Sequence, residues 1–494
     1  MKKIMCLFIA LLIMATPAIY SCGGIETSDT PEATDSAGNT NQPGGMDENL
    51  PEETAKDPAY EYGGEQIDFK GETFKIIYPN WSLYNDYYFT DEEIGDAVND
   101  ALYKRIIDTE EFFNIKIETY IPGYIETIAP AISREVMAGT NSIDIALTHC
   151  VSGLDTIVSK NLAYNWNDMP NVDFSKKYWN SSMNENMTIN GYMPFAANDF
   201  ILPDVGFITF SKDLLREYAL ENPYALVKSG KWTLDKLSEM AKQASRDIDG
   251  DGVFTQADLY GFVGELDWQF INFMYSCDQR VLRKDDDDRY ILDLNTSKSQ
   301  NIIEKLNDLL YVGDQAFTYE YDAGVNGKPY IPFDSGRALF YMNDPRYVKE
   351  LRATEFDFGI LPYPKFDANQ EKYITLNWAG TICAPSNISN PEKVGAVVEY
   401  LGAKSRETVL PVYFDILLNG KVIRDDESKD MLDIIYGGSV YDFGLNFSGF
   451  NDLLYILPRL LQSKSTDLIS YYEKRSERIQ KQYDKIYDAF VANS

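Results

Sequence analysis

Histidine is almost missing from this chain: among 494 residues only His149 carries an imidazole. That scarcity removes most Ser–His–Asp and Cys–His catalytic arrangements and every zinc site built on two histidines. Cysteine is sparse too, with five in all. Beyond the amino-terminal segment only Cys150, Cys277 and Cys383 are left, an odd and widely spaced trio that reads as buried small hydrophobes, not as a disulfide framework or metal cluster. Basic residues are outnumbered, 45 against 77 acidic, for a formal net charge of −32. A nucleic-acid partner, which needs clustered Lys and Arg, is therefore not expected; the acidity suits solubility outside the cell. Long apolar runs are absent as well. The single candidate, Ile4 to Ala15, has 12 residues, against the roughly 20 that a membrane-spanning helix needs. No Walker-type phosphate loop occurs.

What is present begins with MKKIMCLFIALLIMATPAIYSCGG. Two lysines, a short apolar run and then small and turn-forming residues have the layout of a secretory signal, here residues 1–21. The tetrad IYSC resembles a bacterial lipoprotein processing site. The resemblance implies a diacylglyceryl thioether on Cys22 and a protein tethered to the outer face of the cell membrane by its lipid alone, each buried CH₂ contributing about 0.8 kcal/mol. Residues 22–66 are rich in Pro, Gly, Ser, Thr, Asn and acidic residues. They read as a disordered stalk, because so few apolar groups cannot offset the entropy of ordering.

The remaining 430 or so residues exceed one hydrophobic core and suggest two lobes. ETFKIIYPN (72–80), IKIETY (115–120) and IDIALTH (143–149) read as strands, the last almost wholly apolar, as in a sheet covered on both faces. Between them 91–114 and the segment IAPAISREVMAGTN have helical spacing. Strands alternating with helices indicate a parallel α/β sheet. Later, a helix starts near Thr233, FDFGILPYP and GTICAPSN read as strands, PEKVGAVVEYLGAKS as a helix, and the last 30 residues as a closing amphipathic helix.

Several of these stretches, in order, resemble one family. They are FKIIYPNW, GFITFSKDLLREYAL, PYALVKSGKWTLDKLSEMAK, GRALFYMNDPR, FDFGILPYPKFD and WAGTICAPSNISNPEKVGAVVEYLGAKS, and the family is the extracytoplasmic solute-binding proteins of ABC importers, family 1, sugar-binding. The resemblance implies an α/β fold of the two-lobed periplasmic-binding-protein type II. Lobe 1 would comprise 67–204 and 356–411, and lobe 2 would comprise 205–355 and 412–494. It also implies a non-enzymatic monomer that captures a carbohydrate, in particular an oligosaccharide, by lobe closure and hands it to permease subunits. The same fold could serve a peptide or another small solute, and a secreted glycoside hydrolase remains the enzymatic alternative, although no pair of carboxylates is singled out for it.

A sugar site needs aromatic platforms and planar polar groups that pair hydroxyls. Asn80 and Trp81 follow the first strand and His149 ends the third, where ligands gather at the carboxyl ends of parallel strands. Asp199 in FAANDF, Trp268 in GELDWQF, Asn343, Asp344 and Arg346 in YMNDPR, and Asn377 with Trp378 complete the candidates. Trp232 reads as a core residue; Trp166 and Trp179 stay undecided.

RDIDGDGVFTQADLYGF (246–262) has the spacing of a calcium loop. Asp247, Asp249 and Asp251 take positions 1, 3 and 5, Gly252 the sharp turn, the Val253 carbonyl position 7, Thr255 position 9 and Asp258 position 12. Asp in place of the usual Glu at position 12 shortens the reach. The alternative is an Asx-rich turn bonded to its own backbone. With one loop and no Met-rich groove, Ca²⁺ would be a staple, not a signal.

Overall fold

A computed structural model describes residues 57–81, 88–287, 289–319, 332–345, 356–419, 426–447 and 452–494. The strands are β1 (Glu72–Ile77), β2 (Ile115–Tyr120), β3 (Ile145–Thr148), β4 (Phe207–Ser211), β5 (Tyr260–Glu265), β6 (Leu282–Lys284), β7 (Tyr290–Leu292), β8 (Ala316–Tyr319), β9 (Ala338–Asn343), β10 (Phe358–Leu361), β11 (Thr375–Leu376), β12 (Thr381–Cys383) and β13 (Ser439–Val440).

The first sheet has the order β12-β3-β1-β2. β1 is parallel to β2 and β3, with Glu72 opposite Ile115 and Ile76 opposite Ile145. Helix Ala97–Phe113 makes that return possible. Asp96 starts it by accepting hydrogen bonds from the Val98 and Asn99 amides at 3.1 and 3.0 Å, and Asn114 ends it in the left-handed region at φ 49°. Phe74 and Ile76 are fully buried, and removing a side chain of this size from water contributes about 2–3 kcal/mol. All four residues of β3 are buried, as its apolar run requires. β12 joins antiparallel, Thr381 opposite Thr148.

The second sheet has the order β10-β4-β9-β5-β8. β5 is parallel to β8 and β9, while β4 is antiparallel to β9 and β10. Helix Leu234–Ala244 leans on it, capped by Thr233, whose hydroxyl accepts from the Lys236 amide at 3.3 Å. Trp232 is fully buried and donates its indole N–H to the Pro362 carbonyl at 2.9 Å, the structural role expected for it. Trp166 and Trp179 are buried as well, Trp179 donating to Glu399 at 2.7 Å, and all three described cysteines are buried and free.

Three boundaries differ from the sequence-based expectation. The stalk expected through residue 66 gives way earlier: Lys177 pairs with Asp57 at 2.8 Å, and the Tyr62 ring packs edge-on against Tyr400 and Phe112 at 5.1 and 5.6 Å. One aromatic side chain with buried partners is enough to fix a segment whose composition looks disordered. Phe358–Leu361, expected to open the return to lobe 1, is instead the edge strand of the second sheet, its four buried residues paired with β4; the return is completed only at β12. The carboxyl-terminal helix Ser476–Asn493, expected in lobe 2 alone, spans the β6-β7 hairpin and the segments that follow β3. Gln480 bonds the Tyr290 carbonyl and the Leu292 amide, Asn493 donates to the Val158 carbonyl at 2.7 Å, and Tyr192 meets Phe490 at 5.7 Å. Lys56–Ser494 forms one compact unit.

Candidate functional site

Strand direction decides where chemistry collects. In the second sheet β5, β8, β9 and β10 end at one edge, and antiparallel β4 begins there. Glu265 closes β5 opposite Tyr319, which closes β8, and Asn343 closes β9 opposite Phe207. Asp204 and Gly206 precede β4, and Tyr363 follows β10. In the first sheet the equivalent edge carries Trp81 after β1, His149 after β3 and Trp378 before β12. Carboxyl ends of parallel strands leave backbone dipoles and loops free to meet a ligand.

The two edges touch. The Trp268 and Trp378 rings meet edge-to-face at 5.4 Å, and the Trp378 indole donates to Asn272 Oδ1 at 3.0 Å. The Trp378 amide donates to the Asp204 carbonyl at 2.8 Å, and Asn377 Oδ1 accepts from the Asp204 and Ala379 amides at 3.1 and 2.9 Å. Asn377 is thus committed to backbone groups, as short polar side chains beside turns often are. On the first edge the Trp81 ring stands against His149 at 4.6 Å. Asn80 is exposed and donates its amide to the Gly123 carbonyl at 2.7 Å.

The second edge is polar and buried. Asp204, Glu265, Gln269, Asn272, Asn343 and Asp344 are all buried. Burial, with the Asp344 and Glu265 charges adding to it, pushes the Tyr363 hydroxyl well above its ordinary value. Asp199 stands apart from this group. Its carboxylate is 3.7 Å from Arg406, and burial raises its pKa to about 7 against the pull of that guanidinium. Arg346 lies outside the described residues, as does Cys22. Glu265, Gln269, Asn272, Asp204 and Tyr363 escaped the sequence reading. For three of them the signal was positional: Glu265 ends β5, Asp204 lies shortly before β4 and Tyr363 shortly after β10, at the edge already inferred for Trp268 and Asn343.

Cys150 Sγ lies 3.4 Å from His149 Nδ1. Burial, reinforced by the Asp204 charge, pushes the thiol far up, so the pair does not supply a thiolate nucleophile. A surface cavity of about 710 Å³ is lined by Asp278, Lys298 and Phe366, and another of about 540 Å³ by Tyr60, Tyr400 and Arg406; neither includes a residue of the two edges.

The 247–258 loop folds on itself. Asp247 accepts from the Gly250 and Gly252 amides at 2.7 and 2.8 Å, and Asp258 from the Ile248 and Thr255 amides at 2.9 and 2.7 Å. Gly252 has φ 81°, a conformation that penalises any side chain. One oxygen each from Asp247, Asp249 and Asp258 converge within 4.8 Å of one another. Asp251 is not of that group; its Oδ1 accepts from the Val253 amide at 2.7 Å. The Asp251 amide lowers the Asp249 pKa, but burial and the neighbouring Asp251 and Asp258 charges outweigh it and the pKa is raised. A cation would relieve that repulsion, so three carboxylates and a Gly turn fit Ca²⁺.

No family model matches the sequence, and no curated protein matches it. Solved structures do. A sugar transporter protein from Rhizobium etli in an open conformation superposes with TM-score 0.58 at 14% identity, over 85% of this chain and 99% of that one. A cyclo/maltodextrin-binding protein complexed with maltotetraose gives 0.54 at 16%, over 85% and 98%. The fold is that of ABC-transporter solute-binding proteins. A third such protein, from Thermotoga lettingae TMO and bound with alpha-D-tagatose, gives 0.53 at 15%, over 84% and 100%. This two-lobed α/β fold matches the expectation from sequence, and no helix among the described residues is long and apolar enough to cross a membrane.

Proposed function

We propose that this chain is a non-enzymatic, lipid-anchored solute-binding protein that captures a carbohydrate, an oligosaccharide in particular, and delivers it to the permease of an ABC importer. The observation that carries the reading is the meeting of two strand-end edges through Trp268 and Trp378. The first edge offers rings, and the second offers buried carboxylates and amides beside the Trp268 ring. Rings cover the apolar faces of a sugar, and planar polar groups pair its hydroxyls. The solved structures with this fold that hold a tagatose or a maltotetraose support the same reading.

The mechanism is a clamp. With the site empty, shutting the edges strips water from polar groups that then lack partners, at about 1–3 kcal/mol each, so the open form is favoured. A solute that bonds both edges reverses the balance through its better contacts in the closed form. The lipid on Cys22 keeps the protein near its permease. The 247–258 loop holds a structural Ca²⁺ through Asp247, Asp249 and Asp258, and the ion takes no part in solute capture. Calorimetric titration of the signal-free protein with an oligosaccharide and peptide panel, with reducing ends assayed in parallel, tests the function. Saturable heat with sugars and no cleavage is expected. New reducing ends would establish a hydrolase, and heat with peptides alone a peptide binder.

A further inference from the structure

Two amide side chains on the second edge are buried and short of partners. Gln269 and Asn343 are each 1% exposed. Among the described residues, neither Oε1 nor Nε2 of Gln269 has a hydrogen-bond partner, and nor does Nδ2 of Asn343, whose Oδ1 accepts from the Asp344 amide at 2.8 Å. Buried polar atoms nearly always find a partner, so each exception calls for a physical reason.

Their positions supply one. Asn343 is the last residue of β9, and Gln269 lies in the turn that leaves β5. Those strands are neighbours, and Val263 opposite Tyr341 sets Glu265 beside Asn343 two residues on. The turn is fastened to the first edge on either side of Gln269: Trp268 packs on Trp378, and Asn272, which donates to the Gln269 carbonyl at 3.0 Å, accepts from the Trp378 indole. Gln269 therefore stands where the two edges meet, and Asn343 ends the strand beside the one that leads into that turn.

We propose that Gln269 and Asn343 select the solute. An amide with a free donor and a free acceptor side by side is met by two neighbouring hydroxyls, one donating to Oε1 and the other accepting from Nε2; Asn343 Nδ2 donates to a further oxygen. The class so selected is a neutral carbohydrate with vicinal hydroxyls. The inference rests on the binding-protein reading and narrows it to named groups. Solute reaches them when the turn moves off Trp378, and the bonds form as the edges close.

The test uses the best-binding sugar of the panel, its deoxy analogues and two variants of the signal-free protein. Gln269→Met keeps the shape and removes both unpaired atoms; Asn343→Asp keeps the acceptor that holds the Asp344 amide and removes the donor. Gln269→Met should weaken binding about tenfold or more with an unchanged or higher Tm. Asn343→Asp should weaken it about fivefold. A deoxy analogue that loses affinity for the native protein should lose nothing further against Gln269→Met, as a shared contact requires. Binding within twofold of native by Gln269→Met, with a lowered Tm, would assign the amide to internal structure and overturn the inference while leaving the function standing. A native protein that binds no sugar would overturn the function itself, and the inference with it.

Discussion

The two edges that meet in this molecule differ in kind. The first sheet contributes rings, Trp81 against His149 and Trp378. The second has the Trp268 ring and, beside it, Glu265, Gln269, Asn272, Asn343 and Asp344, all buried. Rings attract by apolar area and tolerate many partners, whereas buried polar groups discriminate, because an unmatched one is costly. A guest that satisfies both must be flat and apolar on its faces and polar round its rim. The contrast also assigns tasks: the first edge contributes affinity and the second specificity.

The largest blow to that division is Trp378→Ala. It removes the ring contact with Trp268 and the donor to Asn272 at once, and leaves a void. Stability should fall by about 3–5 kcal/mol and sugar binding should be lost, read by thermal melting and calorimetry. Trp268→Ala sharpens the comparison, because Trp268 is only half-buried. Affinity for all tested sugars should drop about tenfold with their rank order preserved, since a platform does not select. A changed rank order would give the ring a share of the specificity assigned to the buried polar groups beside it.

The metal loop lies outside the comparison and should leave it untouched. Chelation should lower Tm by a few degrees, Ca²⁺ should restore it, and Asp258→Ala should abolish the response while sugar affinity at equal temperature stays the same. A chelator that abolished sugar binding would tie the ion to the edges.

Asp199 gives the smallest effect. Its folded pKa is about 7 against an ordinary 3.8. The folded state thus holds a proton that the unfolded chain has released, and its contribution to stability is complete below about pH 4 and is lost as pH rises through 7. Asp199→Asn should flatten the pH dependence of Tm between pH 5 and 8, with the variant gaining on the native protein toward pH 8. Equal slopes for the two proteins would contradict the assignment.

Much of this was legible in the sequence, for reasons that particular residues make plain. The apolar IALT of β3 and the alternation in ETFKII announce strands, while Asp96, Thr233 and Asn390 sit where helices need a cap, and each accepts from the first turn. Trp378 and Trp268 were legible as residues beside strand ends, and Asn343 as part of the segment YMNDPR. Gln269 was not, because a three-residue turn has no periodicity and an unpaired amide is a tertiary fact; Asn272 was not, because its bonds to Gln269 and Trp378 are tertiary too. Asn377 shows the converse: the residue type suits a sugar, but a backbone amide two residues away claims it first. β10 was misplaced because a short apolar strand fits either sheet, and only its pairing with β4 decides. Tyr62 was hidden by an acidic, Gly-rich neighbourhood that carried no sign of its distant partners.

Small-angle scattering of the signal-free protein, with and without a saturating sugar identified by calorimetry, measures closure directly. The account predicts a smaller radius of gyration and a shortened distance distribution in the bound sample, with Gln269→Met needing proportionally more sugar to reach the same profile. Superimposable profiles for free and sugar-saturated native protein would contradict a clamp.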